Sequence, residues 1–277
     1  MAIKTPAEVT DAYIDACPPK AGSPAWRLLL LAVLAGVLVS LGAVASSSAS
    51  FGMEDAGVQR LITGAVFPIG LIMIVLLGAE LFTGNALMVT AALSGSITWG
   101  RLLRNWGLVY VGNFIGAVAV AALMAFFGQL NLGGGDLAVY TAKVAAAKCQ
   151  LPWMNAFVLG VFCNFLVCVA IYLGNAAHEV SGKILGVFFP IFGFVIASFE
   201  HCIANMYYIP AGIFANMVPT YASAITEAGI NVGALNAGAF VCANLIPVTL
   251  GNIVGGALVG VVMFAAHSSK CKAREAA

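Results

Sequence analysis

Glu80, Glu200 and His201 are the ionisable side chains that stand well inside apolar stretches, in Glu80-Leu81-Phe82-Thr83-Gly84-Asn85 and Ser198-Phe199-Glu200-His201-Cys202-Ile203-Ala204-Asn205. A carboxylate in such a place accepts hydrogen bonds, and an imidazole, with a reference pKa of about 6.5, exchanges protons with a weak acid near neutral pH. The two clusters share Glu-x-x-x-x-Asn, and a shared pattern calls for a shared structural task. Each carboxylate is expected to accept from N–H groups freed where its helix breaks, with Asn85 and Asn205 beside it. His201 has no counterpart, because Leu81 holds its place in the first cluster, so it is the candidate for proton exchange. Thr83 is expected to face the same space. Asn164, a lone amide in another apolar stretch, serves either as a polar wall or as a tie between helices.

The elements that must hold these residues follow from composition. Of 277 residues, 62% are hydrophobic and 8% charged, against about 25% charged in ordinary globular chains, which excludes a soluble domain and a disordered chain. Twelve Lys+Arg against eleven Asp+Glu leave a formal charge of +1, so there is no basic field for nucleic acid. A spanning helix needs about 20 apolar residues, and six stretches supply them, at 26–47, 60–95, 105–128, 153–175, 183–218 and 236–267. The expectation is an all-α polytopic membrane protein with six transmembrane helices. The seven cysteines fit no metal-ligand spacing and read as packing residues. With no phosphate loop, zinc site or nucleophile triad, no catalytic residue, metal or cofactor is expected.

An internal repeat organises the six stretches. Phe67-Pro68-Ile69 precedes Glu80 and Asn85 as Phe189-Pro190-Ile191 precedes Glu200 and Asn205. Asn105, Gly112-Asn113 and Gly116 are likewise answered by Asn244, Gly251-Asn252 and Gly255. Three spans per repeat is an odd number, so the halves should be inverted, with the second and fifth helices broken at a polar midplane. Residues 25–268 form this six-helix unit, its repeats at about 25–128 and 153–268, between an N-terminal segment 1–24 and a tail 269–277. Thr5-Pro6-Ala7-Glu8 is a capping box that opens a short amphipathic helix to about Ala16, ended by Cys17-Pro18-Pro19. Gly133-Gly134-Gly135 marks a flexible outer loop. Alternate loops carry nine Lys and Arg on one side and three on the other (Arg60, Lys143 and Lys148), which puts both termini in the cytoplasm.

The chain resembles the formate/nitrite transporter family, small pentameric anion channels with aquaporin-like protomers. The resemblance rests on Glu80-Leu81-Phe82-Thr83-Gly84, on Ser198 to Met206 through Glu200-His201-Cys202, and on Ile246-Pro247-Val248-Thr249-Leu250-Gly251-Asn252. It implies a pore in each protomer of a homopentamer. Phe67 and Leu71 would narrow one side of the centre and Phe194 the other, with Thr83 and His201 between, Asn164 and Val167 along the wall, and Lys148 in an outer vestibule. Without it, Lys148 reads as a solvated lysine of the outer loop. The implied activity is passive, bidirectional passage of formate through a bacterial inner membrane, the anion being protonated near His201. A nitrite or hydrosulfide channel and a proton-coupled monocarboxylate transporter are the alternatives. A membrane enzyme using Glu80, Glu200 and His201 would need a cofactor or nucleophile that the sequence does not show.

Overall fold

The computed structural model describes residues 3–271, and every regular element among them is helical. In chain order the helices are α1 (Pro6–Ala21), α2 (Ala25–Ser50), α3 (Ala56–Val66), α4 (Ile69–Leu77), α5 (Phe82–Asn85), α6 (Val89–Leu93), α7 (Trp99–Phe126), α8 (Asp136–Cys149), α9 (Trp153–Ala176), α10 (Val180–Ile196), α11 (Cys202–Ala215), α12 (Pro219–Glu227) and α13 (Ile246–His267). A π-helical stretch, Ala239–Leu245, runs directly into α13. Five helical segments are long and apolar enough to cross a membrane: Ala25–Ser50, Ala56–Leu77, Trp99–Phe126, Trp153–Ala176 and Ala239–His267. The pair α10 and α11 occupies the stretch of the expected fifth span, and each is too short to cross alone.

Both expected breaks are present. The α3–α4 segment passes through Pro68, and α4 stops at Gly78 in the left-handed region, φ 68°. The chain then runs extended through Leu81 into α5. In the second half, α10 stops just before Ser198, also left-handed at φ 56°, and His201 is extended before α11. Gly78 and Ser198 each stand two residues before a glutamate, so one turn is built twice, once without the residue that makes it easy.

Close helix crossings hold each half. A Cβ on Gly116 would collide with the Val33 carbonyl of α2, and one on Gly255 with the Val161 carbonyl of α9. α7 therefore lies against α2 as α13 lies against α9, which is the small-residue packing of membrane helices.

Two local expectations are corrected. α1 does not end at Cys17-Pro18-Pro19 but runs through both prolines to Ala21. The capping box does open it, with Thr5 and Glu8 bonded reciprocally. Proline costs an interior helix a hydrogen bond, but here Ile14, Cys17 and Ala21 are buried against α6, α7 and α13, and the Gly22 N–H closes the last turn on Pro18 O. The loop expected at Gly133-Gly134-Gly135, in turn, leads into a whole helix, α8. Gly133, Gly134 and Gly135 all have positive φ and form the turn that launches it. Leu137, Ala138, Thr141, Ala142, Ala145 and Cys149 then recur at helical spacing on its buried face. Of the tail, residues 272–277 lie outside the described residues.

Candidate functional site

The two glutamates sit at matched hydrogen-bonded junctions. Glu80 Oε2 accepts from Asn85 Nδ2 at 2.8 Å, and that amide also donates to Asn105 Oδ1 at 2.8 Å. Glu200 Oε2 accepts from Asn205 Nδ2 at 2.7 Å, and that amide donates to Asn244 Oδ1 at 2.7 Å. Each carboxylate also holds a lysine: Lys20 Nζ lies 3.2 Å from Glu80 Oε2, and Lys148 Nζ lies 2.8 Å from Glu200 Oε1. Buried carboxylates need such partners, since an unpaired charge at that depth costs several kcal/mol.

The N–H groups freed at the breaks do not go to the glutamates, contrary to the sequence expectation. An asparagine of the crossing helix takes one at each break, and His201 takes another. Asn113 Oδ1 accepts from the Phe82 N–H at 2.9 Å while its amide nitrogen donates to Ala32 O and Glu80 O. Asn252 Oδ1 accepts from the Cys202 N–H at 2.9 Å while its amide nitrogen donates to Gly160 O and Glu200 O. An amide both accepts and donates, so one side chain caps the new half-helix and holds the preceding carbonyl. A carboxylate could do only the first.

Lys148 is not a free surface lysine. It stands in the last turn of α8, its ammonium paired with Glu200 and 5.6 Å from the Tyr208 ring centroid. Lys20 at the end of α1 is its match, and the sequence reading missed it. The signal was present: Lys20 precedes Pro24 and Lys148 precedes Pro152 by the same four residues, and both prolines open a spanning helix.

Between the two breaks lies a narrow apolar chamber of about 10 Å³, room for a single water-sized body, walled by Leu71, Leu81, Val167, Ile191, Phe194 and His201. Phe67 does not stand across the centre from Phe194. The two rings meet edge to face, 5.9 Å between centroids, so they stand together as one aromatic pair. Phe67, Phe194 and His201 also line a wide vestibule of about 530 Å³ on the α8 face, which places the aromatic pair between vestibule and chamber. Leu81 and Ile191 are absent from the expected set; in the repeat Leu81 stands where His201 does, so the repeat could have found it, whereas Ile191 answers Ile69, which is not part of the chamber wall.

His201 is buried, stacked on Phe194 at 6.1 Å between centroids. Its Nδ1 accepts from the Ala204 N–H at 3.0 Å, capping α11, and its Nε2 lies 2.9 Å from Thr83 Oγ1. With Nδ1 accepting, the ring proton belongs on Nε2, which donates to Thr83. Thr83 thus meets the histidine directly and lines neither the chamber nor the vestibule. Asn164 also lines neither. Its amide nitrogen donates to Thr83 O at 3.2 Å and Asn252 O at 2.6 Å, tying α9 to the first break and to α13. Among the described residues, no group of His, Cys, Asp and Glu is arranged to hold a metal ion.

Matched broken helices, buried carboxylate junctions and an apolar chamber bounded by lysine-bearing faces define an all-helical membrane protein of the channel and transporter class. The chain belongs to the formate/nitrite transporter family, whose model matches residues 7–266. It is 37% identical to the formate channel FocA of Haemophilus influenzae over 258 residues, covering 92% of this chain and 91% of the relative. It is 38% identical to the uncharacterized transporter YrhG of Bacillus subtilis, covering 99% of this chain and 98% of the relative. Among solved structures it is similar to a pentameric formate channel with formate bound, at a TM-score of 0.81 and 36% identity, covering 87% of this chain and 96% of that one.

Proposed function

We propose that the protein is a passive, bidirectional formate channel of a bacterial inner membrane, assembled as a homopentamer with a pore in each protomer. The observation that carries this reading is the Phe67–Phe194 constriction opening onto a chamber in which His201 is the polar group. A bare anion would lose its hydration there with little in return. Neutral formic acid would not, so protonation at the constriction is the step that permits passage. Lys148 and Lys20, at the two ends, offer positive charge to an arriving anion, each tempered by its glutamate. The α10–α11 pair supplies the sixth crossing, the halves are inverted, and both termini are cytoplasmic.

The bond from the Ala204 N–H to His201 Nδ1 favours one version of the protonation step. A protonated ring would have to give up this cap, worth about 1 kcal/mol, besides carrying a charge inside an apolar wall. The ring therefore acts as a hydrogen-bond donor through Nε2 while the proton arrives with the solute or through water. The experiment is uptake of labelled formate into proteoliposomes, with nitrite, hydrosulfide and chloride as competitors, at about pH 5.5 and pH 7.5. Formate flux that rises at the lower pH and is displaced weakly by the competitors supports the reading. Stronger displacement by nitrite or hydrosulfide keeps the mechanism and replaces the substrate.

A further inference from the structure

The vestibule on the α8 face is far larger than its established neighbours require. Its volume of about 530 Å³ falls within the roughly 300–1,000 Å³ of pockets that hold whole small-molecule ligands, whereas the chamber behind it is about 10 Å³. A molecule can therefore be accepted by the first space and refused by the second. Three cationic side chains line it, Arg60, Lys143 and Lys148, against one carboxylate, Glu200. Lys148 and Glu200 neutralise each other as an ion pair. Arg60 on α3 and Lys143 on α8 are left, and neither forms an ion pair or hydrogen bond among the described residues. On the opposite face α1 is packed across the molecule, and its Lys20 is in an ion pair with Glu80 as Lys148 is with Glu200.

Two unpaired cations on separate walls of one cavity match a solute with two separated negative ends. The Arg60 guanidinium can take one carboxylate through two parallel N–H donors, and the Lys143 ammonium can take the other as a point charge. Tyr140 adds a phenolic hydroxyl and Phe199 an apolar surface for the connecting carbons. A monocarboxylate meets only one of these cations. A dicarboxylate would have to neutralise both ends before entering the aromatic constriction, so it stays in the vestibule. We propose that the vestibule on the α8 face binds small dicarboxylates, which occupy it and obstruct the constriction without crossing. The obstruction rests on the reading of that constriction as the path of formate, and the binding does not.

The test uses succinate as the dicarboxylate and butyrate at matched ionic strength as the monocarboxylate. Isothermal titration into the purified full-length protein should give saturable heat with succinate and little with butyrate. Both cations are exposed, so the Arg60→Gln, Lys143→Gln double variant keeps its fold. Its succinate affinity should fall about tenfold. In proteoliposomes, succinate on the vestibule side should slow formate uptake by the parent, and about tenfold more should be needed with the variant. Heat that is absent, matched by butyrate, or unchanged in the variant overturns the binding site. Succinate that binds without slowing formate overturns the obstruction, and absence of formate uptake by the parent refutes the conduction reading while leaving the titration to decide the site.

Discussion

At the residue scale, His201 uses its two nitrogens differently, Nδ1 accepting from the Ala204 N–H and Nε2 facing Thr83 Oγ1. Asparagine is a good N-cap and still donates hydrogen bonds, but it does not titrate. His201→Asn should therefore keep α11 capped, retain at least about a tenth of parent flux, and preserve the rise of uptake at low pH. Loss of that pH dependence with flux retained would make the ring the proton donor. Breaking a carboxylate junction is a different experiment. Lys148→Met leaves Glu200 facing only amide donors and should lower stability by about 3–5 kcal/mol, read as a drop in thermal midpoint. A second substitution, Glu200→Gln, should recover part of the loss. Ser198 offers the opposite sign, because it holds φ 56° where the first repeat uses Gly78, and Ser198→Gly should raise stability by up to about 1 kcal/mol. Glu80, Glu200 and His201 were legible in the sequence because charge is conspicuous in an apolar run. The acceptors of the freed Phe82 and Cys202 N–H groups were not, since Asn113 and Asn252 gain their role only when α7 and α13 cross the breaks.

At the element scale, the repeat made the spans and both breaks legible, whereas the helices that lie outside the spans were misjudged. α1 was stopped at its prolines by a rule that holds for isolated helices, and burial against α6, α7 and α13 overrode it. α8 was hidden because three glycines dominated its neighbourhood, while its small-residue stripe becomes a signal only beside α11. A Cβ on Gly212 of α11 would collide with Ala145 of α8. The crossing glycines yield a firm expectation. Gly255→Leu should prevent α13 from reaching α9 and abolish folded protein in detergent, seen as aggregation on size-exclusion chromatography, whereas Gly107→Ala on the open side of α7 should be tolerated. α1 is also tied to the chain end, where Ser268 and Ser269 hydroxyls donate to Asp11 at 2.8 and 2.6 Å and Lys270 pairs with Asp15. Partial burial raises the Asp11 carboxyl, but the hydrogen bonds from Ser269 and Ser268 outweigh it and hold the group below the usual carboxylate range. A depressed folded pKa makes this tie fully present above the unfolded value of about 3.9 and lost as pH falls through the lower folded value. A spin-label pair spanning α1 and the end of α13 should keep one distance from about pH 8 to pH 5 and broaden only below about pH 4. Broadening near neutral pH would contradict it.

At the scale of the whole molecule, a lysine, a glutamate and three asparagines meet at each of the two matched breaks. His201 appears on one side only, opposite Leu81. On the function proposed above, that asymmetry turns a structural repeat into a path with chemistry in it. The sequence revealed the repeat and the odd histidine together, but the single aromatic constriction required the halves to be folded against each other, because Phe67 and Phe194 come from different repeats and non-equivalent positions. On the function proposed above, formate crosses as the neutral acid. The most direct test is formate uptake into proteoliposomes at fixed pH while a potassium gradient sets the membrane potential. One elementary charge moved across the membrane is worth about 2.3 kcal/mol per 100 mV, so passage as a bare anion would change the rate steeply with potential. Passage as the neutral acid gives an initial rate that is insensitive to potential and rises as pH falls. A rate that follows the potential and ignores pH would contradict it.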